Sequence, residues 1–198
     1  MVGNTLEKMA TEVRNLHRTE IEELNEPFGE KQKGSSSMPH KKNPIMCERI
    51  CGLSRLLRGN LTVEMENTCL WHERDMSHSS AERIVIPDSS CLIHFMLNDI
   101  NFIFSNLVVY EKNIGRNLNL SSGKIYSQAI MLALTNKGMD KQEAYDLLQD
   151  ISLENNSDVQ QIFSTNKKIL KYLNAKEIES LCSMDYYTRY VDEIFKRF

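Results

Sequence analysis

The chain has 198 residues, a formal net charge of −3 and 41% hydrophobic residues. This length is enough for one large or two small domains, and the composition is ordinary for a globular protein. The acidic balance argues against nucleic acid or an anionic membrane as a general partner, and the longest apolar runs are too short to span a bilayer. The N-terminus lacks the pattern of a signal peptide. Five scattered cysteines argue against a disulfide framework, so we expect free thiols in a reducing cytoplasm.

The first third of the chain predicts two helices joined by a polar loop. Apolar residues recur at spacings of three and four between Leu6 and Leu16, which predicts a helix over residues 5–23. A proline and a glycine then end this helix. Asn43 is a candidate N-cap for the next helix, with Pro44 at its first position. The apolar stripe of that second helix consists of Ile50, Leu53, Leu56, Leu57 and Leu61.

The middle of the chain predicts one long apolar helix, and the last part predicts several short ones. The long helix covers residues 79–110, contains Pro87 and is apolar on all sides, which predicts burial against other subunits or a further domain. Capping boxes are indicated where Asp140 precedes Glu143 and where Asn174 precedes Glu177. The sequence therefore predicts an all-α fold: the C-terminal part of a central helical bundle over residues 1–111, and a small helical domain over residues 112–198.

The polar loop over residues 31–44 has the composition of an anion-binding segment. It contains four lysines, three consecutive serines, a histidine and an asparagine, and no acidic residue. Backbone N–H groups around Gly34 can form a concave donor array, to which the lysines add positive charge. The alternative is a flexible Ser/Gly linker. Composition alone leaves these two interpretations open.

Two motifs within the chain resemble a known enzyme family. The segment Gly-Ser-Ser-Ser-Met-Pro-His-Lys-Lys-Asn-Pro at residues 34–44 matches every fixed position of the fumarase/aspartase signature loop, GSSxMPxKxNP. The segment Trp-His-Glu-Arg-Asp-Met-Ser-His-Ser-Ser-Ala-Glu-Arg at residues 71–83 resembles the corresponding segment of the adenylosuccinate lyase family. The similarity extends from about Thr5 to Phe198 and corresponds to the C-terminal part of a family member.

The resemblance implies a carbon–nitrogen lyase that needs no metal and no cofactor. Such enzymes release fumarate by β-elimination, either from adenylosuccinate to give AMP or from the succinyl-carboxamide ribotide intermediate of purine synthesis. By resemblance, Ser35 is the general base, and Ser36, Lys41 and Asn43 bind the substrate. Glu48 matches the acidic residue that orients and charges the histidine acid.

The second motif implies a phosphate site. Arg74, Ser79 and Arg83 match the residues that hold the AMP phosphate in the family. Ser79 and Arg83 are four residues apart, so one helical face presents both. Isolated arginines are more often ordinary surface residues, and for this pair of arginines only the resemblance favours a site.

None of the chain's histidines is assigned as the general acid. In the family that histidine lies upstream of the signature loop, in a segment that we expect this chain to lack. We therefore expect the chain alone to be inactive. His94, within an apolar helix, is predicted to be a core residue with its polar atoms satisfied. Residues 31–42 are expected to be mobile without a ligand.

The resemblance also implies the partners and the alternatives. Family members are homotetramers whose active sites draw residues from three subunits. Argininosuccinate lyase is the nearest alternative, but it has no phosphate to bind and would leave Arg74, Ser79 and Arg83 unexplained. A non-catalytic helical oligomerisation or structural protein of the same superfamily is the other alternative.

Overall fold

The computed structural model describes residues 1–29, 38, 41–154 and 158–198. Within these ranges most residues are helical, as the sequence predicts, and one pair of two-residue strands is present. The chain divides into two compact units, Met1–Ile114 and Gly115–Phe198. No helix in the described ranges is both long enough and apolar enough to cross a bilayer.

The first unit contains three main helices and a short antiparallel strand pair, in which Leu24 faces Val109. Its elements, in chain order, are α1 (Val2–Leu16), β1 (Leu24–Asn25), α2 (Ile45–Glu66), α3 (Ser77–Ser105), β2 (Val108–Val109) and α4 (Glu111–Asn119), the last of which crosses the division.

Helix α1 ends earlier than the sequence predicts. The apolar repeat stops at Leu16, and the backbone N–H of Glu23 donates to the Leu16 carbonyl at 2.9 Å. Glu22 has a φ of 51°, so the chain leaves the helical path there. The predicted extension to residue 23 is therefore wrong, because residues 17–23 turn to bring β1 against β2.

The three main helices of this unit share one core. Helices α2 and α3 run antiparallel: Arg49 forms an ion pair with Asp99 at 3.5 Å, and the Asn60 amide donates to Asp88 at 2.9 Å. The buried apolar residues between the helices are Leu6, Ala10, Val13, Cys47, Ile50, Cys51, Met96, Ile100 and Ile103. This packing holds the end of α1 beside the start of α2.

Helix α3 runs through Pro87 and leaves much of its apolar surface exposed. The observed helix is Ser77–Ser105, so it begins two residues earlier and ends five residues earlier than the predicted helix. Ile84 is 70% exposed. His94 is also exposed, with Nε2 3.1 Å from the Asn98 amide, so the prediction of a core histidine is wrong. The exposed apolar residues of α3 are Ile84, Ile86, Phe95, Leu97, Phe102 and Phe104.

The second unit is a set of short helices around its own core. Asp140 caps the helix that begins at Lys141 by accepting from the backbone N–H groups of Gln142 and Glu143 at 2.8 and 3.1 Å. The predicted capping box of Asn174 and Glu177 is complete, with both reciprocal hydrogen bonds present. The α-helices are α5 (Ser127–Asn136), α6 (Lys141–Glu154), α7 (Val159–Thr165), α8 (Ala175–Leu181), α9 (Met184–Thr188) and α10 (Val191–Phe195).

Candidate active site

A cleft lies where the end of α1 meets the segment that leads into α2. We call it the loop-base cleft; its volume is about 460 Å³, and its lining residues are His17, Arg18, Thr19, Glu22, Asn25, Lys41, Lys42 and Asn43. One arginine and two lysines line this cleft against one acidic side chain, so the cleft favours an anion. The structure thus places the predicted substrate-binding residues Lys41 and Asn43 in one concave surface.

The segment leading into α2 is fixed by a buried carboxylate. Glu26 is 2% exposed, and its two carboxylate oxygens accept from the backbone N–H groups of Met46 and Cys47 at 3.2 and 3.1 Å. Helix α2 begins at Ile45 with Pro44 at the N-cap position. The predictions that Asn43 caps this helix and that Pro44 is its first residue are therefore wrong. A carboxylate at a helix N-terminus satisfies free N–H groups and interacts favourably with the helix dipole.

Glu48 lies beside the loop-base cleft rather than within it. It lines an adjacent cleft of about 420 Å³ together with Arg14, and His17 and Arg18 border both clefts. The neighbouring Cys47 is buried, and burial first, then Glu26, raises the pKa of its thiol to about 12. Cys47 therefore stays a neutral thiol near this region and supplies no thiolate nucleophile.

Three residues of these clefts were missed by sequence reasoning: Arg14, His17 and Arg18. They share the last turn of α1 and the residues just after it, at spacings of three and four. This spacing was the available signal. In a single sequence the same spacing is also typical of a solvated helix face.

The second motif forms a separate group at the start of α3, which we call the arginine cluster: Arg74, Ser79 and Arg83. Arg74 and Arg83 are exposed, and Ser79 is half-buried in the first turn of the helix. The Arg74 guanidinium lies 2.8 Å from Nε2 of His78, which is 6% exposed. Because a guanidinium only donates, His78 accepts from Arg74 through Nε2. Two exposed guanidiniums and a hydroxyl at a helix N-terminus have the chemistry of a phosphate site.

The loop-base cleft and the arginine cluster lie at opposite ends of the α2–α3 pair. Helix α2 has 22 residues, which at about 1.5 Å per residue separates its ends by roughly 30 Å. The antiparallel contacts place the start of α3 beside the end of α2. One copy of the chain therefore does not bring Lys41 and Asn43 together with Arg74, Ser79 and Arg83.

Two predicted site residues, Ser35 and Ser36, lie outside the described residues, and so does most of the segment expected to be mobile, residues 31–42. Lys42 is described, and its Nζ lies 5.3 Å from the centroid of the Phe28 ring. Within the described ranges, no group of three or more His, Cys, Asp or Glu side chains is arranged to hold a metal ion.

The sequence matches two family models and several named enzymes. One model, described as adenylosuccinate lyase C-terminus, matches residues 123–198, and another, described as lyase, matches residues 1–59. Proteins named adenylosuccinate lyase are 45% identical in Streptococcus mutans over 99% of this chain, and 41% identical in Thermotoga maritima and in Helicobacter pylori over 100% of it. The matches cover 46%, 47% and 48% of those relatives. The chain thus spans about half the length of the relatives it matches.

Solved structures share the helical fold. A 3-carboxy-cis,cis-muconate lactonizing enzyme from Pseudomonas putida superposes with a TM-score of 0.77 at 25% identity, covering 92% of this chain and 41% of that one. A β-carboxy-cis,cis-muconate cycloisomerase from Acinetobacter calcoaceticus superposes with a TM-score of 0.81 at 18% identity, covering 100% of this chain and 44% of that one. The second likeness, at its low identity, bears on the fold alone.

Proposed function

Because the chain belongs to the adenylosuccinate lyase family, we propose that it supplies the C-terminal part of a cytoplasmic enzyme that releases fumarate by β-elimination. The substrates are adenylosuccinate, which gives AMP, and the succinyl-carboxamide ribotide intermediate of purine synthesis. The observation that most supports this is the basic loop-base cleft, in which Lys41 and Asn43 line one concave surface suited to the two carboxylates of a succinyl group.

The proposed chemistry removes a proton from the carbon next to a carboxylate and then breaks the carbon–nitrogen bond. Ser35 takes the proton, and the electron pair is delocalised into the carboxylate. Cleavage of the carbon–nitrogen bond forms the double bond of fumarate, and a general acid protonates the leaving nitrogen. Ser36, Lys41 and Asn43 stabilise the extra negative charge at the reacting end. Glu48 orients and charges a histidine acid supplied from outside this chain.

The phosphate end of the substrate is assigned to the arginine cluster. Arg74, Ser79 and Arg83 bind the nucleotide phosphate through charge-assisted hydrogen bonds. The separation of roughly 30 Å between this cluster and the loop-base cleft, set by the length of α2, exceeds the reach of one substrate molecule. We therefore place the two groups in different active sites, each completed by other copies in a homotetramer.

The same separation supports an inactive monomer, and an associated form of this chain alone still lacks the proposed histidine acid. At one end of its α2–α3 pair a single copy has residues for the succinyl part of the substrate, and at the other end it has residues for the phosphate. Neither group forms a complete site. A non-catalytic oligomerising protein is the second candidate, because the exposed apolar surface of α3 favours association whether or not catalysis occurs.

The test measures fumarate release from adenylosuccinate. The chain is assayed alone and joined to the upstream half of the Streptococcus mutans relative. We expect activity only in the joined form, and Ser35→Ala should lower its kcat by about 10²–10⁴-fold, the range for loss of a general base.

Ser37→Ala is the matched control, because the signature pattern accepts any residue at that position. It should keep kcat within about threefold of the parent, since it removes a hydroxyl of the same loop without removing the base. Full activity in Ser35→Ala would contradict the assignment of the base. An inactive but correctly assembled joined protein would favour the non-catalytic alternative.

A further inference from the structure

His17 makes a contact that the proposed chemistry does not use. Its Nε2 lies 2.6 Å from the backbone carbonyl oxygen of Lys42, across 25 residues of sequence. The ring borders both the loop-base cleft and the adjacent cleft that contains Glu48. Its other nitrogen, Nδ1, is buried and has no hydrogen-bond partner among the described residues. Of the two ring nitrogens of His17, Nε2 is therefore the one with a described hydrogen-bond partner, and that partner is the backbone of the loop.

The geometry identifies which ring nitrogen bears the proton. A backbone carbonyl only accepts, so Nε2 must donate to Lys42. The buried Nδ1 has no described acceptor within reach, so the proton that this geometry requires is the one on Nε2. In that state His17 is a directed donor and not a general acid, because releasing its proton would break the contact.

The other end of the contact is anchored in a rigid part of the molecule. His17 is the C-cap of α1, and its backbone N–H donates to the Val13 carbonyl at 3.0 Å. Val13 is 1% exposed and belongs to the core shared with Cys47 and Ile50 of α2. The backbone of His17 is therefore held by the packed end of α1, and the ring extends to Lys42 from a fixed Cα.

The segment that the His17 ring contacts forms neither a helix nor a strand. Residues 41–44 precede α2 without regular structure, and Lys42 stands directly between Lys41 and Asn43. Glu26 holds the backbone only from Met46 onward. His17 supplies a hydrogen bond from the packed core to the part of the segment before Pro44.

We propose that His17 is a positioning residue: its Nε2–H fixes the Lys42 carbonyl and thereby the placement of Lys41 and Asn43. The consequence for catalysis rests on the proposed function, in which these two residues bind the succinyl carboxylates. A misplacement of about 1 Å in such a group costs up to roughly 10²-fold in rate.

The first experiment tests the contact itself and needs no activity. Histidine side chains of the chain are labelled with ¹⁵N, and the signal of His17 is identified by its loss in His17→Gln. We expect a proton on Nε2 that exchanges slowly with solvent and no proton on Nδ1. A His17 ring protonated on Nδ1 alone would overturn the proposal, because Nε2 would then have nothing to donate.

The second experiment measures the consequence in the active joined enzyme. Glutamine places an N–H donor the same number of bonds from Cβ as Nε2 of histidine, whereas alanine removes it. We expect His17→Ala to lower kcat/KM by about 10–100-fold and His17→Gln to stay within about threefold of the parent, with similar melting temperatures.

The outcomes separate this proposal from the proposed function. If His17→Ala keeps the parental kcat/KM, or if His17→Gln loses as much as His17→Ala, then His17 is not a positioning donor. If the parent joined protein is inactive, the proposed function fails, and the ¹⁵N experiment still decides whether His17 holds Lys42.

Discussion

Asp75 closes the turn that leads into α3 and lies between two residues of the arginine cluster. Its carboxylate accepts from the backbone N–H groups of Trp71 and Ser77 at 2.6 and 2.7 Å and from the Ser77 hydroxyl. The Ser77 hydroxyl first, and then these backbone donors, lower the pKa of Asp75 to about 2. Three hydrogen bonds to one ionised carboxylate thus fix the backbone between Arg74 and Ser79.

The lowered pKa of Asp75 predicts a pH-dependent contribution to stability. Because the folded value of about 2 lies below the usual 3.8, the contribution is complete above pH 3.8 and is lost as the pH falls through 2. We expect Asp75→Asn to lower the melting temperature by a constant amount at neutral pH, and this difference should shrink between about pH 4 and pH 2. The measurement is thermal unfolding followed by circular dichroism, with the exposed neighbour Glu73→Gln as the control. A difference that widens on acidification would contradict the prediction.

Individual site residues were predictable from the sequence only where a motif contains them. Lys41 and Asn43 were named from the signature loop, and both line the loop-base cleft. His17 was passed over, because nothing in its local sequence indicates that its ring reaches the carbonyl of Lys42, 25 positions along the chain. His94 was predicted wrongly for a related reason: an apolar neighbourhood in sequence does not say which side of a helix faces the core.

Helix interiors were predictable and several helix ends were not. The repeat of apolar residues identified α1, α2 and α3, because burial on one face produces that repeat. The capping box of Asn174 and Glu177 was also found, since both hydrogen bonds join residues three positions apart. The start of α2 was not predicted correctly, because its first backbone N–H groups donate to Glu26, which lies 20 and 21 positions away in the sequence. A contact of that range has no signature in a local window of sequence.

Two glycines provide a matched test of element stability. Gly123, at the start of the 3₁₀ turn that leads into α5, has a φ of +82°, and an added Cβ would lie 3.0 Å from the backbone nitrogen of Gln160. Gly123→Ala should therefore destabilise the second unit by about 1–3 kcal/mol. Gly52 lies inside α2 with nothing within 4 Å of an added Cβ, so Gly52→Ala should stabilise the first unit by about 0.5–1 kcal/mol.

Amide hydrogen exchange read separately for each unit measures both effects. Faster exchange of the slowest amides is expected in the second unit for Gly123→Ala, and slower exchange in the first unit for Gly52→Ala. A second unit left unchanged by Gly123→Ala would mean that the left-handed turn at residue 123 is not needed for its stability.

At the scale of the whole molecule, the exposed apolar surface of α3 is the feature that predicts behaviour in solution. Ile84 is 70% exposed and Leu97 is 44% exposed, and large apolar side chains left exposed on more than one face of a helix are typical of protein interfaces. We expect the chain to sediment as an oligomer or a larger associated species. Placing glutamate at both Ile84 and Leu97 should shift it toward the monomer, because burying those charges in an interface is costly.

Sedimentation velocity measures this shift, and circular dichroism checks that the helix content stays the same. The control adds the same two charges at exposed positions of the second unit, Gln142→Glu and Gln149→Glu, and should leave the sedimentation pattern unchanged. A parent chain that sediments as a stable monomer would contradict the prediction and would also remove the support for a composite site.

The buried carboxylate of Glu26 has a consequence for how this protein can change. Its hydrogen bonds join the chain just before the signature loop to the first turn of α2, which follows the loop. These two flanking segments, the stems of the loop, therefore stay together whatever the sequence between them. Sequence changes between the stems then alter chemistry with little effect on folding, whereas changes at Glu26 alter folding first. Under the proposed function, the fold in this way lets the proposed catalytic segment diverge as a separate module, and a substitution inside the loop is expected to change activity before it changes the scaffold.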